Sequence, residues 1–228
     1  MPPLRYRLIR RMFTFLFRVL TRLHTKGEDK LPLQGPYIMA ANHIHLFDPP
    51  LIFAVLRDRD ATSFVGASHQ RNLFWRLLLD AVGVIWIRRG EADRAALKAA
   101  LMELKRGRIL GIAPEGTRSR SHTLITGKQG TAFLAQRANV SIYPIGLWGT
   151  ENIVPAWLHL RRADVHIVFG EAIELSAVSA DERGQRWQIW TDEIMCRIAI
   201  LLPRSYRGVY SDHPRLRELE AETQKVAT

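Results

Sequence analysis

The chain has 228 residues, 47 % of them hydrophobic and 24 % charged, which fits one folded domain with a substantial core and excludes a disordered chain. Its net charge of +11 calls for an anionic partner or surface, and its single cysteine, Cys196, excludes an intramolecular disulfide.

The first predicted element is a basic arm over residues 1–27. Arg5, Arg7, Arg10, Arg11, Arg18, Arg22 and Lys26 lie there with no acidic residue, so seven of the eleven net charges sit in this arm. Leu4, Leu8, Met12, Phe15, Leu16, Val19 and Leu23 recur at helical spacing, widened by Phe13, Phe17 and Leu20. A basic amphipathic helix with an aromatic-rich apolar face is expected to lie in an anionic membrane surface. It is not a spanning helix, because Arg10, Arg11, Arg18 and Arg22 interrupt every window of about 20 apolar residues. Nor is it a secretory signal, since the same arginines break the apolar centre and no small-residue cleavage site follows. Nucleic acid is the rival anionic partner. The large apolar residues between the charges, and the lack of a zinc-finger, helix-turn-helix or aromatic RNA-reading signature, argue against it.

The domain proper is expected over 28–203. Residues 37–41 read as a strand, and Asp48-Pro49-Pro50 as a helix start with Asp48 at the N-cap and helix over 49–57. His43 therefore leaves a strand and Asp48 begins a helix, so the two can meet across a turn, which they could not do on one continuous helix. An imidazole with a carboxylate on its far nitrogen has a fixed tautomer and a stabilised cation, as a general base for an alcohol needs. His43-x-His45 also resembles the start of a metal site, but Leu46 and Phe47 fill the places where further ligands would stand, so no metal is expected.

Further strands are predicted near 62–67, 83–88, 108–113, 140–147 and 164–169, and helices near 70–80, 91–106, 127–138 and 184–202. The alternation indicates a single α/β domain with a mostly parallel central sheet flanked by helices. The strand at 83–88 ends in Arg88-Arg89-Gly90, and that at 108–113 breaks at Pro114-Glu115-Gly116-Thr117-Arg118-Ser119-Arg120. The second loop offers a glycine for close backbone approach and a guanidinium for phosphate. Pro144 inside the strand at 140–147 points to an edge, a bulge or a strand end. Cys196 lies in an apolar helical stretch and is expected as a buried thiol. The tail 204–228 is polar and expected to pack loosely.

Four blocks in order, Asn42-His43-x4-Asp48, Gly83-x2-Trp86-Ile87-x-Arg89, Pro114-Glu115-Gly116-Thr117-Arg118-Ser119 and Tyr143-Pro144-Ile145, resemble those of the glycerolipid acyltransferases of the 1-acyl-sn-glycerol-3-phosphate (lysophosphatidate) type, over about residues 30–175. Lys128-x-Gly130 is a further family-like feature. The resemblance implies transfer of a fatty acyl group from a thioester donor, acyl-CoA or acyl-carrier protein, to the free hydroxyl of a lysophosphatidate-type acceptor, making phosphatidate with no cofactor; the alternatives are another lysophospholipid or a glycolipid as acceptor, or a non-catalytic membrane lipid-binding protein. It implies that His43 is the base and Asp48 its orienting partner, and that Arg89, Glu115, Gly116, Thr117 and Arg118 hold the acceptor. With the basic arm on an anionic surface, a single cysteine and thioester donors, the expected place is peripheral or monotopic on the cytoplasmic face of a membrane. Ala113, Trp86 and Tyr143 depart from the common pattern, which bears on acceptor and chain preference.

Overall fold

A computed structural model describes residues 3–57, 59–88, 93–175 and 183–226. In chain order it contains α1 (Leu4–Leu20), β1 (Thr21–Lys26), β2 (Ile38–Ala41), α2 (Asp48–Val55), β3 (Ala61–Gly66), α3 (Leu73–Val82), β4 (Ile85–Ile87), α4 (Arg94–Lys105), β5 (Ile109–Ile112), α5 (Gly130–Ala138), β6 (Ile142–Trp148), α6 (Ile153–Leu158), β7 (Ala163–Phe169), α7 (Arg183–Ala199) and α8 (Pro214–Val226). The strands form one sheet in the order β1-β7-β6-β2-β5-β3-β4, parallel except between β6 and β7. The α/β expectation with a mostly parallel sheet is met.

β2 is Ile-Met-Ala-Ala, buried at every position. An unbroken apolar strand of this kind belongs in the middle of a parallel sheet covered on both faces. One face is closed by α1, α2 and α6, whose Phe17, Leu51, Val55 and Ile153 pack with Met39, Ile145 and Val165. The other is closed by α4, α5, α7 and α8, through residues such as Ala100, Leu134, Ile198 and Leu216 against Ile38 and Leu110. From β2 the chain runs to β3 on one side, whereas from its neighbour β6 it runs to β7 on the other, so the connections diverge at the carboxyl ends of β2 and β6. In open α/β sheets that is where a ligand crevice forms.

Two expectations need correction. The basic helix stops at Leu20, and residues 21–26 form β1, paired in parallel with β7. The stop is built by Thr21, whose buried hydroxyl bonds the Phe17 carbonyl at 2.7 Å, and by Arg162, which donates to the carbonyls of Arg18 and Thr21 and so satisfies the helix end. The tail beyond 204 is not loose: α8 docks on α7 with Leu216 and Leu219 buried and Arg215 paired to Glu193 at 2.5 Å. Of the alternatives for Pro144 the edge is ruled out, since β6 is an internal strand, but the break is there: the ladder with β7 stops beside the proline, and among the described residues only an isolated bridge, Ile142 to Ile173, lies beyond it. The Pro144 carbonyl accepts from Gly170 N–H at 2.8 Å, just where the β6–β7 ladder ends, so the missing N–H falls at the end of a ladder and interrupts none. Cys196 is buried as expected, and burial pushes its thiol up to about 12.

Candidate active site

Three loops meet at the carboxyl end of β2. Asn42 ends the strand by extending the ladder with its side chain: its amide donates to the Leu147 carbonyl at 2.7 Å and accepts from Leu147 N–H at 2.8 Å. The next residue, His43, is held by its backbone on the other side. Its N–H donates to Glu115 Oε1 at 3.1 Å, and its carbonyl accepts from Ser119 N–H at 2.8 Å. The histidine loop is therefore clamped between β6 and the loop that follows β5.

His43 Nδ1 lies 2.8 Å from Asp48 Oδ2. A carboxylate only accepts, so Nδ1 carries the hydrogen, and in the neutral imidazole Nε2 then has the lone pair. The Asp48 carboxylate is buried and also receives Ile44 N–H and His45 N–H, each at 2.7 Å, on Oδ2 and the Thr150 hydroxyl, at 2.5 Å, on Oδ1. Four donors and the amino end of α2 replace the water lost on burial. Asp48 was expected at the N-cap; it is instead the first residue of α2, and its carboxylate turns back to the preceding loop. His45, the second histidine of the possible metal pair, faces elsewhere. It packs against Phe47, and burial lowers its pKa, countered by Asp48 and reinforced by Arg118.

In the loop after β5, Glu115 is 1 % exposed. Burial raises its pKa to about 8, against hydrogen bonds from the backbone of His43 and Ile125 and with a further push from Asp48. Its Oε2 is a buried oxygen with no hydrogen-bond partner. Gly116 takes φ +68°, and the Lys128 stem lies over it so closely that a Cβ would fall 2.8 Å from Lys128 Cδ. Thr117 and Arg118 are exposed on the same loop. The structure thus joins His43, Asp48 and Glu115 by hydrogen bonds and carries Gly116, Thr117 and Arg118 on the loop that follows Glu115, while Arg89 lies outside the described residues. A cavity of about 760 Å³ between β4 and α4 is lined by Trp86 and Arg88 but by none of these residues, so it is not the place of the histidine chemistry.

Sequence reasoning assigned no role to Asn42 or Thr150. Thr150 reaches Asp48 because Gly149 turns the chain sharply after β6, with φ +88°. A Cβ there would stand 2.3 Å from the Asp164 carbonyl, so neither the conformation nor the space admits a side chain. Gly149→Ala is expected to cost about 2 kcal/mol or more of unfolding free energy, read as a lower urea midpoint at unchanged slope.

Residues 22–148 match the family profile described as Acyltransferase. The 1-acyl-sn-glycerol-3-phosphate acyltransferase of Borreliella burgdorferi is 28 % identical over 175 residues, 75 % of this chain and 70 % of that protein. The lyso-ornithine lipid O-acyltransferase of Pseudomonas aeruginosa is 32 % identical over 157 residues, 67 % of this chain and 58 % of that protein. Among solved structures, the 1-acyl-sn-glycerophosphate (LPA) acyltransferase PlsC of Thermotoga maritima superposes with a TM-score of 0.64 at 21 % identity, covering 82 % of this chain and 76 % of its own, a likeness of fold.

Proposed function

Because this chain belongs to the acyltransferase family, whose profile spans more than half of it, we propose that it moves a fatty acyl group from a thioester donor to the free hydroxyl of lysophosphatidate, making phosphatidate for phospholipid synthesis. The observation that carries the reading is the His43 Nδ1–Asp48 Oδ2 contact of 2.8 Å, which leaves Nε2 as a base. Nε2 takes the acceptor's hydroxyl proton while that oxygen bonds the thioester carbonyl carbon. The C–S bond then breaks, and the imidazolium returns the proton to the departing sulfur, giving an ester and a free thiol. Asp48 steadies the imidazolium between the two transfers. No protein nucleophile is needed, so both substrates are bound together and no acyl-enzyme forms.

The acceptor's phosphomonoester carries up to two negative charges. Arg118, joined by Arg89 and the Lys128 ammonium, meets them, while Gly116 and Thr117 let the glycerol backbone approach closely. Acyl-CoA or acyl-carrier protein serves as donor, and no cofactor takes part. The outward face of α1, basic and apolar, lies on an anionic membrane surface rather than on nucleic acid, placing the enzyme peripherally or monotopically on the cytoplasmic face. Among the described residues no helix is long and apolar enough to cross a membrane.

The likeness to a lyso-ornithine lipid O-acyltransferase favours a second acceptor class, an amino-acid lysolipid with the same free hydroxyl. The deciding experiment supplies labelled acyl-CoA or acyl-carrier protein with lysophosphatidate, lyso-ornithine lipid or glycerol 3-phosphate on anionic vesicles. Labelled phosphatidate is the expected product. Label only in ornithine lipid would replace the first reading with the second, and label in neither lipid would overturn both.

A further inference from the structure

The end of β6 grips the histidine loop on both sides of its catalytic pair. Ahead of His43, the Asn42 side chain pairs with both backbone groups of Leu147; at the far end, the Thr150 hydroxyl donates to Asp48 Oδ1 at 2.5 Å. The first contact fixes where the backbone leaves β2. The second fixes a side chain, and it comes from a threonine that is fully buried and lies outside every block read from the sequence.

The two oxygens of Asp48 are loaded unequally. Oδ2 takes Ile44 N–H, His45 N–H and His43 Nδ1–H, whereas Oδ1 takes the Thr150 hydroxyl. The torsion that turns an aspartate carboxylate has broad wells, so donors on one oxygen leave the other able to swing. A swing of the carboxylate tilts the imidazole that hangs on Oδ2. Thr150 closes that freedom, and its own place is set from three directions. Gly149 before it presses on the start of β7, so closely that a Cβ would meet the Asp164 carbonyl at 2.3 Å. Glu151 after it accepts the Tyr206 hydroxyl at 2.5 Å. The Tyr206 carbonyl in turn accepts Leu124 N–H at 2.9 Å, from the same loop that carries Glu115.

We propose that Thr150 is a positioning residue for acyl transfer: its hydroxyl locks the Asp48 carboxylate so that Oδ2 holds the His43 imidazole with Nε2 presented to the acceptor hydroxyl. Thr150 touches no substrate and passes no proton. It acts through Asp48, and a methyl group in place of its hydroxyl would leave Oδ1 a buried anionic oxygen short of a donor. The kinetic consequence rests on the base role proposed for His43, whereas the hold on the imidazole rests on the hydrogen bonds alone.

The test compares Thr150→Val, which keeps the shape and removes the donor, with Thr150→Ser, which keeps the donor. With lysophosphatidate on anionic vesicles and labelled acyl-CoA or acyl-carrier protein, Thr150→Val should lower kcat by about tenfold to 10²-fold, the loss that a misplacement of about 1 Å brings, at unchanged acceptor KM. Thr150→Ser should stay within about threefold of native kcat. Proton NMR gives a reading that needs no substrate. A histidine N–H held by a carboxylate resonates far downfield, and the His43 signal, assigned by its absence in His43→Ala, should shift or broaden in Thr150→Val and keep its native position in Thr150→Ser. Native kcat in Thr150→Val, an unmoved resonance in it, or an equal loss in Thr150→Ser would each overturn the proposal. Should a urea melt show that Thr150→Val does not fold, Thr150→Cys replaces it, its thiol being a weak donor, and the same readings decide. Absence of transfer by the native chain to every acceptor would defeat the proposed function, and the resonance would still decide whether Thr150 holds His43 in place.

Discussion

Replacing His43 by alanine is expected to lower kcat for acyl transfer by about 10³-fold, within the 10²–10⁴-fold range of a positioned general base, with KM for the acceptor nearly unchanged. The split follows from the geometry. Phosphate recognition is assigned to the loop after β5, and the imidazole acts only on the hydroxyl. The protein should stay folded, because the His43 backbone contacts to Glu115 and Ser119 do not depend on its side chain, and Asp48 keeps three donors in Ile44, His45 and Thr150. Steady-state kinetics beside a urea melt checks both halves. A variant retaining more than about a tenth of native kcat would remove His43 from the role of base.

The histidine and its aspartate were legible in the sequence because both lie in one short turn, and a strand before it with two prolines after it sets their directions. The rest of the support was hidden by distance. Thr150 meets Asp48 from 102 positions away, and Asn42 pairs with Leu147 across 105, so no local pattern marks them. β1 escaped because Thr-Arg-Leu-His-Thr-Lys has one buried position in six and continues a basic helix without a break in charge. α8 escaped because two buried leucines stand among arginines and glutamates. The amphipathic character of α1 and α3 could be counted from residues, but periodicity gives only the existence of a stripe. Which side meets the protein is settled by packing, and α1 presents apolar residues on both sides.

Glu115 should make the protein lose stability as pH rises through the neutral range, and Glu115→Gln should remove that loss. Burial is the main cause of a carboxyl value near 8 in the fold, compared with 4.5 for the free group. Between those values the folded chain holds a proton that the unfolded chain has released, so unfolding discharges a proton and raising the pH favours the unfolded state. Below 4.5 both states are protonated and above 8 both are ionised, so the slope is confined to that window. The amide of Glu115→Gln keeps an oxygen for His43 N–H but cannot ionise. From pH 5 to pH 8 the variant should therefore gain on the native chain by an amount on the order of several kcal/mol, read as diverging urea midpoints. Parallel midpoints would mean that Glu115 is ionised in the fold. A neutral Glu115 also suits the chemistry proposed around it. An ionised carboxylate one residue from Gly116 would repel the acceptor's phosphate, whereas the neutral acid holds the His43 backbone by the same hydrogen bond without opposing the anion that Arg118 is placed to meet.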